Sequence, residues 1–271
     1  MERNKPLRYL SNLQNLLKQK YDIVINTIQS RLPDHYLLTL GVRAKRRLGP
    51  ATWGRKGYHR LRFPFNPYRF LLTETWLETD HIYKDHFQGA VLLGMEPKKL
   101  YDYLLLFQNL LQSIAAPPLH NRPYVLLTPA TTKDYKVWSG FDHLAPHLQE
   151  FLPAQYECLT LPAQPLSFEK LLSLILHARL FIANDGGLLH IAESLGTPTI
   201  GIYLLQVHPF LSRHFLDGKD RHIVFPQESK VTQPYHSLFC REKTRQQCLK
   251  LDSLISIQDV CDAAKIMLNT H

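Results

Sequence analysis

Ala178-Arg-Leu-Phe-Ile-Ala-Asn-Asp-Gly-Gly-Leu-Leu-His-Ile-Ala-Glu-Ser-Leu-Gly-Thr-Pro-Thr-Ile-Gly-Ile-Tyr203 is the stretch from which the fold of this chain can be read. Its pattern predicts an apolar strand over 180–183, a polar glycine turn over 184–187, an amphipathic helix over 188–195 and a second apolar strand over 199–203. Strand, turn, helix and strand in that order form one crossover unit of a parallel sheet. Asp185 stands where a helix N-cap belongs, and Gly186 and Gly187 let the turn backbone come close to another molecule with no Cβ in the way. The unpaired N–H groups of such a helix start suit a phosphate. His190 follows one turn later, on a face that can reach the same mouth.

The same rhythm continues on both sides of this unit. Strands are predicted over 124–128, 155–161 and 221–225, and helices over 141–152 and 168–177. Ser256-Ile-Gln-Asp259 has capping-box spacing and opens a last amphipathic helix to about residue 268. Alternating strands and helices of this length imply a doubly wound parallel sheet. Pro117-Pro118 cannot continue a helix and marks the expected boundary between a domain of residues 1–118 and one of residues 119–271.

The first domain reads as a helix over 7–20, a short strand over 21–26, a helix over 33–40, a basic turn with a short strand over 41–50, a helix over 68–93 broken near Thr79, and a helix over 100–115. Residues 51–67 are aromatic, basic and proline-rich and read as a long loop, a place where function often resides. A chain that opens with a helix feeding a strand begins in the middle of an α/β unit.

With 271 residues and 45% hydrophobic content the chain can bury ample core. No run approaches the roughly 18 apolar residues of a membrane span, and Met1-Glu-Arg-Asn-Lys-Pro lacks a signal-peptide core, so the cytoplasm is the expected compartment. Cys158, Cys240, Cys248 and Cys261 form no C-x-x-C pair and read as reduced thiols. The net charge of +9 calls for an anionic partner. Arg43, Lys45, Arg46, Arg47, Arg55, Lys56, Arg60, Arg62 and Arg69 run without an intervening acid. They form either a solvated basic loop or a surface for an anionic lipid headgroup or acidic acceptor. No helix-turn-helix, zinc knuckle or RNP-type motif accompanies them, so nucleic acid is not an expected partner.

In an open parallel sheet, ligands bind beyond the carboxyl ends of the strands. Two loops leave such ends with suitable chemistry. Thr128-Pro-Ala-Thr-Thr-Lys-Asp-Tyr-Lys-Val-Trp138 carries the hydroxyls of Thr131 and Thr132 and the ammonium groups of Lys133 and Lys136, and Asn184-Asp-Gly-Gly187 carries the helix start. Together they can hold a diphosphate from two sides. Neither is a Walker A loop or a G-x-G-x-x-G fingerprint. His143 and His147 have helical spacing, but Pro146 lies between them and no Glu partner is evident, so no metal is expected.

The order of Ala130-Thr-Thr-Lys-Asp-Tyr-Lys-Val-Trp138 and Asn184 to Tyr203 resembles the lipopolysaccharide heptosyltransferases, the family-9 glycosyltransferases. The resemblance is specific over about 124–203 and looser in 20–25, 41–49 and 255–260. It implies an α/β, GT-B-like fold of two Rossmann-like domains, the amino-terminal one incomplete and the carboxy-terminal one holding the sugar nucleotide. It implies that Thr131, Thr132 and Lys136 contact the diphosphate of an ADP-heptose-like donor, with the Gly186 and Gly187 backbone opposite. Asp185 would then bond donor hydroxyls and His190 would support the site. No cofactor is implied, since enzymes of this class stabilise the departing diphosphate with protein groups.

The implied reaction is inverting transfer to an acidic, lipopolysaccharide-core-like glycolipid, with peripheral contact at the cytoplasmic face of the inner membrane. The family's chains open with a strand and a glycine-rich loop whose Asp serves as base, and alignment of Tyr21-Asp-Ile-Val-Ile25 starts this chain after that point. No catalytic base is identified; Asp22 and Asp34 are poor replacements. Leu204-Leu-Gln-Val-His208 also replaces a Gly-Pro-Thr-like turn of the family. The alternative expectation is a catalytically inactive nucleotide-sugar-binding homologue that acts as a partner or regulator.

Overall fold

The computed structural model of the chain describes residues 14–26, 39, 41–51, 69–76, 82–129, 137–162, 164–204, 221–224 and 251–269. By contacts the chain divides into two compact units, one running to Lys99 and the other starting at Leu100.

In the first unit, strands β1 (Lys20–Ile25), β2 (Arg43–Pro50) and β3 (Glu74–Trp76) form a parallel sheet in the order β1-β2-β3, and helix α1 (Ile82–Val91) packs against β2 and β3. Two expectations are corrected here. Residues 41–50 are not chiefly a turn: they supply an eight-residue central strand. Residues 68–93 are not one broken helix but a 3-10 turn at Arg69–Leu71, strand β3 and then α1. The reason is pairing with β2, because Trp76 is buried and Glu74 answers a cation on β2, which outweighs local helical spacing. Residues 14–18 are helical, but β1 begins at Lys20, so the first helix ends before its expected limit. The helix expected over 33–40 and the loop over 51–67 fall almost wholly outside the described residues.

The basic run becomes intelligible in this sheet. Arg46 grips Glu74 with two hydrogen bonds of 2.6 and 2.7 Å, and its Nη2 also donates to the Leu92 carbonyl at 2.8 Å. Arg47 donates to the carbonyls of Thr39 and Val42, and Lys45 pairs with Asp22 at 2.8 Å. The sequence run lacks acids because neighbouring segments provide them. Three cations that could have faced an anionic partner are therefore engaged inside the unit, two by acidic side chains and one by backbone carbonyls.

The second unit holds the unit from which the fold was read. Strands β4 (Tyr124–Thr128), β5 (Glu157–Thr160), β6 (Leu180–Asn184), β7 (Thr199–Ile202) and β8 (Arg221–Val224) are all parallel, in the order β5-β4-β6-β7-β8. Helices α2 (Leu100–Ile114), α3 (Phe141–Gln149), α4 (Phe168–Leu176), α5 (Gly187–Leu195) and α6 (Ile257–Asn269) cover the two faces. Side chains alternate across a strand. Thus Val125, Leu127, Leu180 and Ile182 join the core under α3 and α6, whereas Tyr124, Leu126, Phe181 and Ala183 join the one under α2, α4 and α5. This is the expected doubly wound sheet, and β4, β6 and β7 are buried throughout.

Local chemistry sets the helix ends. Ser256 and Asp259 make the expected capping box, the Asp259 N–H donating to Ser256 Oγ at 3.1 Å and the Ser256 N–H to Asp259 Oδ2 at 2.8 Å. Gly196 ends α5 in the left-handed conformation at φ 79°, where a Cβ would also collide with Gln108. Gln108 and Gln112 of α2 both donate to the Leu195 carbonyl, at 3.0 and 2.9 Å, which fastens α2 to the carboxyl end of α5.

One pH effect follows from β8. Burial holds the His222 imidazole below its usual pKa, so the unfolded chain takes up the proton first. Stability from this group is complete above the unfolded value of about 6.5 and declines as pH falls through it towards the lower folded pKa. Denaturant unfolding at pH 7.5 and 5.5 should show a loss at the lower pH that is smaller in His222→Gln. An unchanged difference in that variant would exclude His222 as the source.

Candidate functional site

The sheet order contains one reversal. The chain enters at β4, passes outward to β5, then returns to the other side of β4 as β6 and continues outward through β7 and β8. The carboxyl ends of β4 and β6 therefore flank the switch point, where ligands of open α/β sheets bind. The loops that leave these two ends are the ones chosen from sequence.

After β6 the chain runs through Asp185 and Gly186 into α5. Asp185 is not the helix N-cap: Gly186 occupies that place, in extended backbone, and no side chain caps the helix. The correction follows from Gly187 already being helical, which shifts the cap one residue on to a glycine, so that among the described residues no side chain caps the first turn of N–H groups. Neither glycine is demanded by the fold. Gly186 and Gly187 have no positive φ, a Cβ on Gly187 would meet nothing within 4 Å, and one on Gly186 would meet only the Asn184 carbonyl at 3.7 Å. What the two glycines do is keep the approach to the helix start open.

His190, one turn into α5, stands between two carboxylates. Its Nδ1 lies 3.2 Å from Glu193 Oε2, and its Nε2 lies 4.0 Å from Asp185 Oδ1. The ring is thus turned with Nδ1 towards Glu193 and Nε2 towards Asp185. The Asp185 backbone N–H donates to the Ile202 carbonyl at 3.0 Å, which fixes the turn against β7. The imidazole is about one-third exposed and Glu193 is almost fully covered, so the Nδ1 side of the ring faces inward and the rest of it reaches the surface.

The loop after β4 is held at both feet by one side chain. Asn184, the last residue of β6 and 2% exposed, donates from Nδ2 to the Pro129 carbonyl at 2.8 Å and accepts the Trp138 N–H on Oδ1 at 3.0 Å. Trp138 is buried, stacks edge-on against Phe141, and donates from Nε1 to the Ile255 carbonyl at 3.0 Å. The next N–H, of Ser139, goes to Asp252 Oδ1 at 2.8 Å. Thr131, Thr132 and Lys136 lie outside the described residues, within the segment that these two feet bracket. Asp185, Gly186, Gly187 and His190 are brought together at the mouth.

Two contributors escape a reading by sequence pattern. Asn184 looks like part of a polar turn, whereas it ends a buried strand; the available signal is a polar residue closing an otherwise apolar run. Glu193 looks like an exposed helix residue, and its signal is the three-residue spacing from His190. Among the described residues no group of three or more His, Cys, Asp or Glu side chains could hold a metal ion, and no helix is long and apolar enough to cross a membrane. His147 Nδ1 is engaged with the His143 carbonyl at 2.8 Å.

The described residues form an α/β fold with parallel sheets, and its solved structural neighbours are GT-B-like heptosyltransferases. Similar solved structures include E. coli heptosyltransferase WaaC with ADP-2-deoxy-2-fluoro heptose, at 16% identity over 96% of this chain and 78% of that one, with a TM-score of 0.59. A family-9 glycosyl transferase from Veillonella parvula matches at 15% identity over 97% of this chain and 79% of that one, with a TM-score of 0.53. E. coli ADP-heptose lps heptosyltransferase II matches at 15% identity over 100% and 82%, with a TM-score of 0.51. These likenesses show the fold. The model of glycosyltransferase family 9 (heptosyltransferase) matches residues 150–211, the span that contains the turn and α5. No curated protein sequence matches the chain. The resemblance to the family-9 heptosyltransferases is thus borne out, by the family model over that span and by the fold over nearly the whole chain.

Proposed function

We propose that this protein transfers a sugar from an ADP-activated donor, of the ADP-heptose kind, to a hydroxyl of an acidic glycolipid resembling the lipopolysaccharide core. The observation that carries the reading is the pair of loops at the switch point: an open, uncapped helix start after β6, and a hydroxyl- and lysine-bearing segment whose two feet are tied to the same strand end. Such a place suits a diphosphate, with N–H groups and helix dipole on one side and Thr131, Thr132 and Lys136 on the other. The solved WaaC structures with ADP and with ADP-2-deoxy-2-fluoro heptose support a donor of this class.

In the proposed reaction the acceptor oxygen attacks the anomeric carbon, the bond from that carbon to the diphosphate breaks, and ADP departs with the electron pair. The configuration inverts, and the acceptor proton goes to a base. Backbone N–H groups of α5 and Lys136 stabilise the charge that gathers on the leaving diphosphate. Asp185 bonds hydroxyls of the sugar, and His190, oriented by Glu193, holds the mouth beside it. Of the basic run, Arg43 and Arg69 among the described residues are left to meet an acidic acceptor or the inner-membrane surface.

Incubation with radiolabelled ADP-heptose and heptose-deficient lipopolysaccharide core tests this. Label should appear in the glycolipid. Binding of ADP with neither transfer nor hydrolysis would instead favour a nucleotide-sugar-binding homologue that acts as partner or regulator.

A further inference from the structure

Helix α2 is apolar on two sides. Its inner side packs on α4 and α5, with Leu111 in the core and Gln108 and Gln112 on the Leu195 carbonyl. On its outer side Tyr103, Leu106, Phe107, Leu110 and Ile114 are all exposed, from 38% for Ile114 to 63% for Leu106. A surface helix ordinarily turns charged and polar residues outward. α2 instead carries a single charged residue, Asp102, in its 15.

Three features fit this outer side to a second copy of the same helix. The first is spacing. Residues 103, 107, 110 and 114 stand four, three and four apart, the 3.5-residue period with which two helices mesh along a seam. The second is charge. A twofold interface sets one patch against itself, so the patch must tolerate its own charges. The stripe has none, and its flank carries the exposed Asp102, Asn109 and Ser113. In an antiparallel pair the two Asp102 carboxylates lie at opposite ends. An anionic lipid surface would call for lysines and arginines beside the stripe, whereas Lys99, one turn before it, is paired with Glu96 at 3.1 Å. The third is area. At about 200 Å² for a whole residue of this size, the exposed fractions amount to roughly 500 Å², the upper end for the largest apolar patch of an ordinary monomer. Two copies would bury roughly 1,000 Å² from these side chains alone, which reaches the threshold of a stable interface before the polar flank is counted.

We propose that α2 is a homodimer interface, in which the outer stripes of two copies pack antiparallel about a twofold axis. The proposal goes beyond the donor reading and does not depend on it.

Sedimentation velocity on the full chain, from about 1 to 100 µM, tests it. The wild type should move from the 31.5 kDa mass of one chain towards twice that mass as concentration rises. Leu106→Glu combined with Leu110→Glu should keep the far-UV circular dichroism of the wild type, because both positions are exposed, and raise the dimer dissociation constant at least about 100-fold, because each glutamate would be buried in the seam. Ile266→Glu, at an exposed position of α6 on the other side of the sheet, should sediment like the wild type. If the double variant does not fold, Phe107→Ser takes its place and should weaken the dimer about tenfold. A wild type that stays at 31.5 kDa at the highest concentration would overturn the proposal, and its flotation with anionic vesicles through the same residues would assign the stripe to lipid. A dimer left intact by the glutamates would overturn it equally, by placing the interface elsewhere. ADP binding is unaffected by any of these outcomes, so the donor reading stands or falls separately.

Discussion

Gly187→Val should weaken nucleotide binding roughly 10- to 100-fold and leave the protein folded. The position has room for a side chain, since a Cβ there meets nothing within 4 Å, and its backbone is ordinary helix that any residue adopts. Substitution should therefore change stability by no more than about 1 kcal/mol, the scale of an open surface site. The added isopropyl group stands in front of the first-turn N–H groups of α5, which no side chain caps. If a diphosphate sits there, at least one charge-assisted bond worth about 1.5–3 kcal/mol is lost, so affinity falls roughly 10- to 100-fold. Thermal melting and ADP titration on the same sample give both numbers. A variant that melts like wild type and binds ADP equally well would place the nucleotide elsewhere.

The second large effect is on stability. Trp138→Ala should cost roughly 3–5 kcal/mol, as deletion of a fully buried aromatic does. The indole is 1% exposed and packs within the core beneath α3 and α6, against Phe141. Its removal also strips the Ile255 carbonyl of its donor, so a buried acceptor is stranded as well as a cavity opened. Gly140 must be glycine because the same indole lies over its Cα, where a Cβ would collide with the ring. A drop in melting temperature of about 10 °C is expected for a unit of this size. A drop of under 2 °C would mean that the end of the loop after β4 is not anchored through this ring.

The second unit was legible in the sequence because its central strands are buried on both faces and its helices have one apolar side, so hydrophobic runs and periods coincide with elements. The strand over Tyr124–Thr128 and the capping box at Ser256 lie where residue pattern places them. The first unit was harder. β2 carries four basic residues in eight, and nothing local says that Asp22 and Glu74 will neutralise two of them across the sheet. β3 is three residues long, too short to leave a period. In the site, residue type and glycine spacing pointed to the turn and the helix start, but not to the cap, which shifted from Asp185 to Gly186. Nor could spacing show that Asn184 faces two backbone groups 55 and 46 positions away in sequence, because that depends on β6 lying beside β4.

The central claim is that the mouth between β4 and β6 holds a diphosphate. Calorimetric titration of the wild-type chain with ADP and, in parallel, with adenosine measures this directly. Saturable binding of ADP, at least about tenfold tighter than adenosine and consistent with one or more charge-assisted phosphate bonds, is the predicted result. No heat with ADP at millimolar concentration from folded protein, or equal affinity for the two ligands, would contradict it.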